Sequence, residues 1–402
     1  MTELDADVVG AGARTPADLR LPDYGGACLR AVLPAALDAL GAETTSGGRT
    51  SAQDRELLGL PRARKVCVVL VDGLGAQMLA ERGGHAPFLR SHLPDSLTLT
   101  SGYPSTTATS LTMLGTGETP GATGMLGYTV RNPADGALLN LITWEDAGLH
   151  PREWQRVPTL VERLGAPPAG PDIVSVGPAR FVGSGLTEAA LRGPRFVAAG
   201  SLADRVDATV RLLRKPSAAD AVYLYWGDVD KVGHHHGWGS WQWGEEVEAA
   251  DAELARLARE LPRGTLLLIT ADHGMVDLVD DSRVDVATTP ELARGVDLVA
   301  GEPRAVHVHC EPGQAEAVAA RWSDVLGESA WVLLREEAEA VGLFGALLEK
   351  NRTVVGDVVV AARGRRAIVD SRTQTPGSIA LVGVHGSLTP AELLVPLVRV
   401  VV

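Results

Sequence analysis

The sequence predicts an α/β protein with a mostly parallel central sheet flanked by helices, and three observations carry that expectation. Strand-sized apolar runs occupy Lys65–Val71, Ala221–Trp226 and Thr265–Thr270, each ended by polar turn residues. The first two are followed by helix-like stretches, one running through Leu79 and the other over 245–260. No apolar run approaches the ~18 uninterrupted residues of a membrane span. Strands alternating with helices bury both faces of a parallel sheet, and ligands then collect beyond the carboxyl ends of the strands.

Taken in order along the 402 residues, the chain exceeds the size of one simple core and calls for an α/β domain with an insertion. Residues 1–60, rich in Ala, Gly and Pro with a helix-like stretch at 29–40, form a lead-in expected to pack on the core. The opening MTELDADVV is acidic, without the basic and apolar regions of a secretory signal, so a cytoplasmic location is expected. The core itself spans 61–275. A cap-like insertion, including a strand-like piece at 354–361, is expected over 276–378. Residues 379–402 then return to the core and carry His385.

Composition narrows the function class. Apolar residues make up 45% and charged residues 22%, as in soluble globular proteins. Three widely spaced cysteines, Cys28, Cys67 and Cys310, form no CxxC pair and argue against a disulfide framework or a thiolate zinc site. The net charge of −13 argues against a surface for nucleic-acid polymers. Small phosphate substrates remain open, because bound cations would set the local field.

The polar residues at the strand ends are the types that bind zinc or manganese without thiolates. Asp72-Gly73 follows the first strand, Asp228 and Asp230 the second, and Asp272-His273-Gly274 the third. Asp230 and His234, four apart, can meet one ion from a turn or a helix start, with Gly233 and Gly237 giving a tight backbone. Each piece alone also reads as a loop or cap, but three at three strand ends compound. The hydroxyl cluster Ser105-Thr106-Thr107 before an apolar stretch offers a nucleophile that a metal could activate.

Together these motifs resemble the alkaline phosphatase superfamily, in its nucleotide pyrophosphatase/phosphodiesterase branch. The likeness runs from about Lys65 to Gly274 and resumes at His385-Gly386. It rests on Asp72 after the first strand and on a Pro-x-x-Thr pattern at Pro104–Thr107 leading into Thr116-Gly117. It rests equally on Asp-x-x-Gly-His-x-x-Gly at Asp230, Gly233, His234 and Gly237, and on Asp272-His273-Gly274. The resemblance implies an alkaline-phosphatase-like sandwich. It also implies one divalent ion held by Asp230, His234 and His385, another by Asp72, Asp272 and His273, and Thr107 rather than Thr106 as the bridging nucleophile. Two zinc ions are expected, with manganese or iron as substitutes, acting on a small phosphate ester through a phospho-threonine intermediate.

One departure concerns substrate binding. The branch usually presents an Asn after the nucleophile, whereas this chain reads Gly124-Met125-Leu126-Gly127-Tyr128, with no Asn before Asn132. Tyr128 is the substitute donor expected here, and Trp238, in an aromatic loop with Trp241 and Trp243, is a candidate to stack on substrate. His235 and His236 are expected to be bystanders or partners of ligands. A phosphomonoesterase or a phosphonate hydrolase would use the same ligands. A phosphomutase would add basic residues, for which Arg304 and 363–366 are candidates. No Cys/Ser-x-Pro-x-Arg frame supports a sulfatase. A non-catalytic metal binder is the reading from a different class.

Overall fold

A computed structural model describes residues 20–145, 148–215, 218–279 and 281–402. The first nineteen residues of the expected lead-in, including its acidic opening, therefore lie outside the described residues. The rest of it contains a short helix, Val32–Ala39, whose apolar side chains join the main core.

The central sheet has seven strands in the order Leu97–Thr100, Leu394–Val401, Thr265–Thr270, Lys65–Val71, Ala221–Trp226, Ile173–Gly177 and Arg195–Ala198. All but the pairings of Leu394–Val401 are parallel. The register decides where the chemistry goes. Leu70 lies opposite Thr270 and Val71 opposite Trp226, so the three polar turns leave the sheet side by side at its carboxyl edge. Each central strand is apolar on both faces because helices cover both, and Cys67 is fully buried among them.

A second, wholly antiparallel sheet has six strands in the order Ala330–Leu334, Val358–Ala362, Ala305–Cys310, Val296–Glu302, Thr129–Arg131 and Leu138–Asn140. Four of its strands come from within 276–378, but the last two come from the stretch 61–275. Thr129 joins it by pairing with Gly301, where its hydroxyl donates to the Gly301 carbonyl at 2.8 Å. A three-residue strand has little local signal; its neighbours hold it there.

The expected aromatic loop is largely helix. The Ser240 hydroxyl accepts from the Trp243 backbone N–H and caps a helix over Trp241–Glu260, which buries Trp243 and leaves Trp241 67% exposed. Among the described residues no helix is long and apolar enough to cross a membrane.

One buried ion pair ties the second sheet to the core. Arg304 donates to both Glu392 oxygens, at 3.0 and 2.7 Å, with both side chains fully buried. Glu392 in turn accepts from the Ser387 backbone N–H and the Thr389 hydroxyl, fixing the turn that follows His385. Replacing Arg304 by Met strands a buried carboxylate, so guanidinium unfolding should show a loss of about 3–5 kcal/mol.

Candidate active site

Glycines let the three turns converge. Gly73 has φ +73°, and a Cβ there would stand 2.9 Å from the Asp230 Cβ, so Asp72 and Asp230 come together only because position 73 is bare. Gly274 lies against Gly75 and the Ala391 carbonyl, 2.0 Å from where its Cβ would be. Asp230 and His234 sit one turn apart on a helix over Asp228–His236, with His234 Nε2 3.2 Å from Asp230 Oδ2.

His385 arrives from more than a hundred residues away. Ser105 N–H donates to the Gly386 carbonyl at 2.9 Å and the Ser105 hydroxyl to the Ser387 carbonyl at 2.7 Å, which joins this turn to the segment carrying Thr106 and Thr107. The His385 ring stacks on His273, with centroids 3.5 Å apart.

All three histidines are oriented alike. His234 Nδ1 meets the Gly383 carbonyl at 2.7 Å, His273 Nδ1 the Gly274 carbonyl at 3.0 Å, and His385 Nδ1 the Ser105 carbonyl at 2.9 Å. A carbonyl only accepts, so each Nδ1 carries a proton and each Nε2 is the nitrogen turned toward the carboxylates, where it could ligate a cation. The result is two groups that could each hold a cation: Asp230, His234 and His385, and Asp72, Asp272 and His273, with ligand atoms within 4.8 Å of one another in each. Asp72 Oδ1, Asp230 Oδ1 and Asp272 Oδ2 are buried and lack a hydrogen-bond partner among the described residues. Buried carboxylate oxygens left this way fit a cation as their partner.

Charge follows the same geometry. Burial, and then the neighbouring Asp272 and Asp230 carboxylates, push the Asp72 carboxyl well above the usual range, while the Tyr225 hydroxyl opposes this. Burial and the adjacent His273 and His234 hold His385 well below its ordinary value, hence neutral and fit to ligate. Burial would lower His234 too, but the Asp230 carboxylate outweighs it and raises His234 to about 9.

Thr107 begins the helix Thr107–Thr116, and its hydroxyl lies 3.2 Å from His273 Nε2. Thr106 precedes that helix without a side-chain capping hydrogen bond and faces Glu302, a buried carboxyl that burial pushes up to about 8. Thr107 is thus the hydroxyl placed against the ligand cluster.

Two cavities, about 570 and 510 Å³, meet at the cluster and share Thr106, Tyr128, His234 and His385. Tyr128, 42% exposed, lines both. Trp238 lines neither; it packs edge-on against Trp243. Asn132 is turned away, its side chain accepting from Ala134 N–H in a hairpin turn. His235 and His236 also lie outside both cavities. The basic residues weighed for a sugar phosphate are elsewhere: Arg304 is consumed by Glu392, and Arg365 and Arg366 hold the carbonyls of Asp277 and Asp281.

Sequence reading missed Tyr225, whose hydroxyl donates to Asp72 Oδ2 at 2.5 Å, and Arg180 and Phe181, which line the larger cavity. A signal for Tyr225 existed. Tyr223 and Tyr225 alternate within an otherwise apolar strand and so point their polar tips to one face.

A family model described as type I phosphodiesterase / nucleotide pyrophosphatase matches residues 66–388. No curated protein matches the chain significantly in sequence. Among solved structures, murine ectonucleotide pyrophosphatase / phosphodiesterase 5 shares the fold at 17% identity and a TM-score of 0.64, over 83% of this chain and 87% of that one. An inactive threonine-to-alanine variant of that murine protein, in complex with AMP, matches at 17% identity and a TM-score of 0.63 over the same 83% and 87%. Phosphonoacetate hydrolase from Sinorhizobium meliloti 1021, in complex with phosphonoformate, matches at 20% identity and a TM-score of 0.66, over 89% and 92%.

The Asp230–His234 pair sets a pH signature for the metal-free protein. A raised histidine stabilises fully below its unfolded value of 6.5 and loses that contribution as pH rises through about 9. The melting temperature of chelator-treated protein should fall across that window, and Asp230→Asn should abolish this fall while bringing the His234 titration, followed by NMR, below 6.5.

Proposed function

The chain belongs to the type I phosphodiesterase / nucleotide pyrophosphatase family, and from that premise we propose that it hydrolyses small phosphodiesters or phosphoanhydrides with Thr107 as nucleophile. The observation that carries this reading is the meeting of two cavities at two Asp/His groups beside the hydroxyl segment that begins a helix. A phosphoryl group with an organic substituent on each side has a place for both; a monoester would leave one cavity unused.

In this reading Asp230, His234 and His385 hold one divalent cation, and Asp72, Asp272 and His273 the other, zinc being the ion assigned. Such a pair supplies Lewis-acid neutralisation of phosphoryl charge and lowers the pKa of nearby hydroxyls and water. The Thr107 oxygen, giving up its proton to solvent, forms a bond to phosphorus as the bond to the leaving oxygen breaks in line with it, and the departing oxygen takes a proton from water. Water then cleaves the phospho-threonine and returns the hydroxyl. The first N–H groups of the Thr107–Thr116 helix and the Tyr128 hydroxyl are the neutral donors for the phosphoryl oxygens.

The murine relative's inactive threonine-to-alanine variant, in complex with AMP, supports a threonine nucleophile and a nucleotide-sized arm. Against a small carboxylate-bearing phosphonate stands the lining of the 510 Å³ cavity. Among the described residues its lining has no Lys or Arg, and its carboxyl is Glu302, which burial keeps largely protonated; Arg180 lines the larger cavity instead. The second sheet, with 276–378 and the Thr129–Asn140 hairpin, serves as the cap in this proposal.

Zinc- and manganese-loaded protein should turn over bis-p-nitrophenyl phosphate and a nucleotide diester faster than p-nitrophenyl phosphate or phosphonoacetate. Thr107→Ala should lower diester turnover by about 10⁴-fold or more with metal content unchanged, and Asp272→Asn should lower metal content. Undiminished turnover in Thr107→Ala would overturn the nucleophile assignment.

A further inference from the structure

The carboxylates of the Asp72, Asp272 and His273 group are each tied by one oxygen only. Asp272 Oδ1 accepts from the backbone N–H of Gly73 and of His273, both at 3.1 Å, and its Oδ2 has no donor. Asp72 Oδ2 accepts from the Tyr225 hydroxyl at 2.5 Å, and its Oδ1 has none. For Asp272 the restraint is main chain. For Asp72 it is a single phenol from a neighbouring strand.

We propose that Tyr225 is a positioning residue that confines Asp72 to one ligand oxygen and thereby sets which cation this site accepts, favouring zinc over manganese. The inference rests on the two-cation reading above. With one oxygen occupied on each carboxylate, the group offers two oxygens and the His273 Nε2, and the Thr107 hydroxyl 3.2 Å from that nitrogen completes four donors. Four is zinc's number; manganese favours six-coordinate, oxygen-rich surroundings, which a two-oxygen carboxylate helps to supply. Without the phenol, Asp72 can turn both oxygens inward and the preference relaxes.

The phenol is built to donate. Its ring packs edge-on against Phe181 with centroids 5.5 Å apart, which aims the hydroxyl at Asp72. Tyr223, two residues earlier on the same face, provides the internal control. It is buried near the same carboxylates, yet its hydroxyl has no hydrogen-bond partner among the described residues.

The test compares wild type, Tyr225→Phe and Tyr223→Phe, each stripped of metal. Each is titrated with Zn²⁺ and with Mn²⁺ against a chromophoric chelator, and the visible absorption of the Co²⁺ forms is recorded. Tyr225→Phe should lose about 10–100-fold in zinc affinity at one of two sites, with a smaller loss for manganese. Its cobalt bands should weaken as the coordination number rises, while Tyr223→Phe matches wild type in zinc affinity. Unchanged zinc affinity and cobalt spectrum in a Tyr225→Phe protein with native circular dichroism would overturn the proposal. So would weak, high-coordination cobalt bands at both sites in wild type, a measurement that needs no variant to fold. Wild-type protein that takes up neither ion would instead remove the two-cation reading, and this proposal with it.

Discussion

Three aspartate carboxylates sit within one buried cluster, each with an oxygen that no protein donor satisfies among the described residues. Bringing like charges together away from water is unfavourable, and the rest of the site can be understood as what makes it tolerable. Three imidazoles are held with Nε2 toward the carboxylates by backbone carbonyls at Nδ1, and two carboxylates have their second oxygen occupied by donors from other segments. The bare atoms are then turned toward places where cations would compensate them. Gly73 and Gly274 are required because any side chain there would hold the carboxylate turns apart.

The same constraint reaches into the second sheet. His385 is useful only if its turn is fixed against the Thr107 helix, and that turn is fixed by Glu392, whose charge Arg304 balances from the Ala305–Cys310 hairpin side. The ion pair therefore couples the antiparallel sheet to the position of a candidate ligand. The 510 Å³ cavity between the two layers follows from this arrangement, with Glu302 and Gly301 on one wall and His234 and His385 on another. What lies on either side of the cluster is a consequence of how the sheets are joined.

In the proposed function these walls would contact the two arms of the substrate. The larger cavity is lined by Phe181, Phe196 and Leu186 with Arg180 and Glu145, and the smaller by Val299, Ile368 and Leu381 together with Asn140, Gln374 and hydroxyl side chains. Apolar side chains make up much of both walls, and Tyr128 stands where the cavities meet. Trp238, the aromatic residue that sequence reading favoured for stacking, instead supports the helix that buries Trp243.

The amino-acid sequence by itself determined the parallel strands and the acids at their ends, because a strand buried on both faces must be a continuous apolar run and the polar residue ending it is conspicuous. It also placed Asp230 and His234 on one face, since four residues is one helical turn. Tertiary structure alone decided the rest. The hairpin Thr129–Asn140 joins a sheet built mostly from residues beyond 295 because one long-range pairing, Thr129 with Gly301, selects it, and short strands carry no local preference strong enough to show that. Which oxygen of Asp72 is tied, and by which phenol, depends on the register of two strands separated by some 150 residues, a relation that exists only once the sheet has formed.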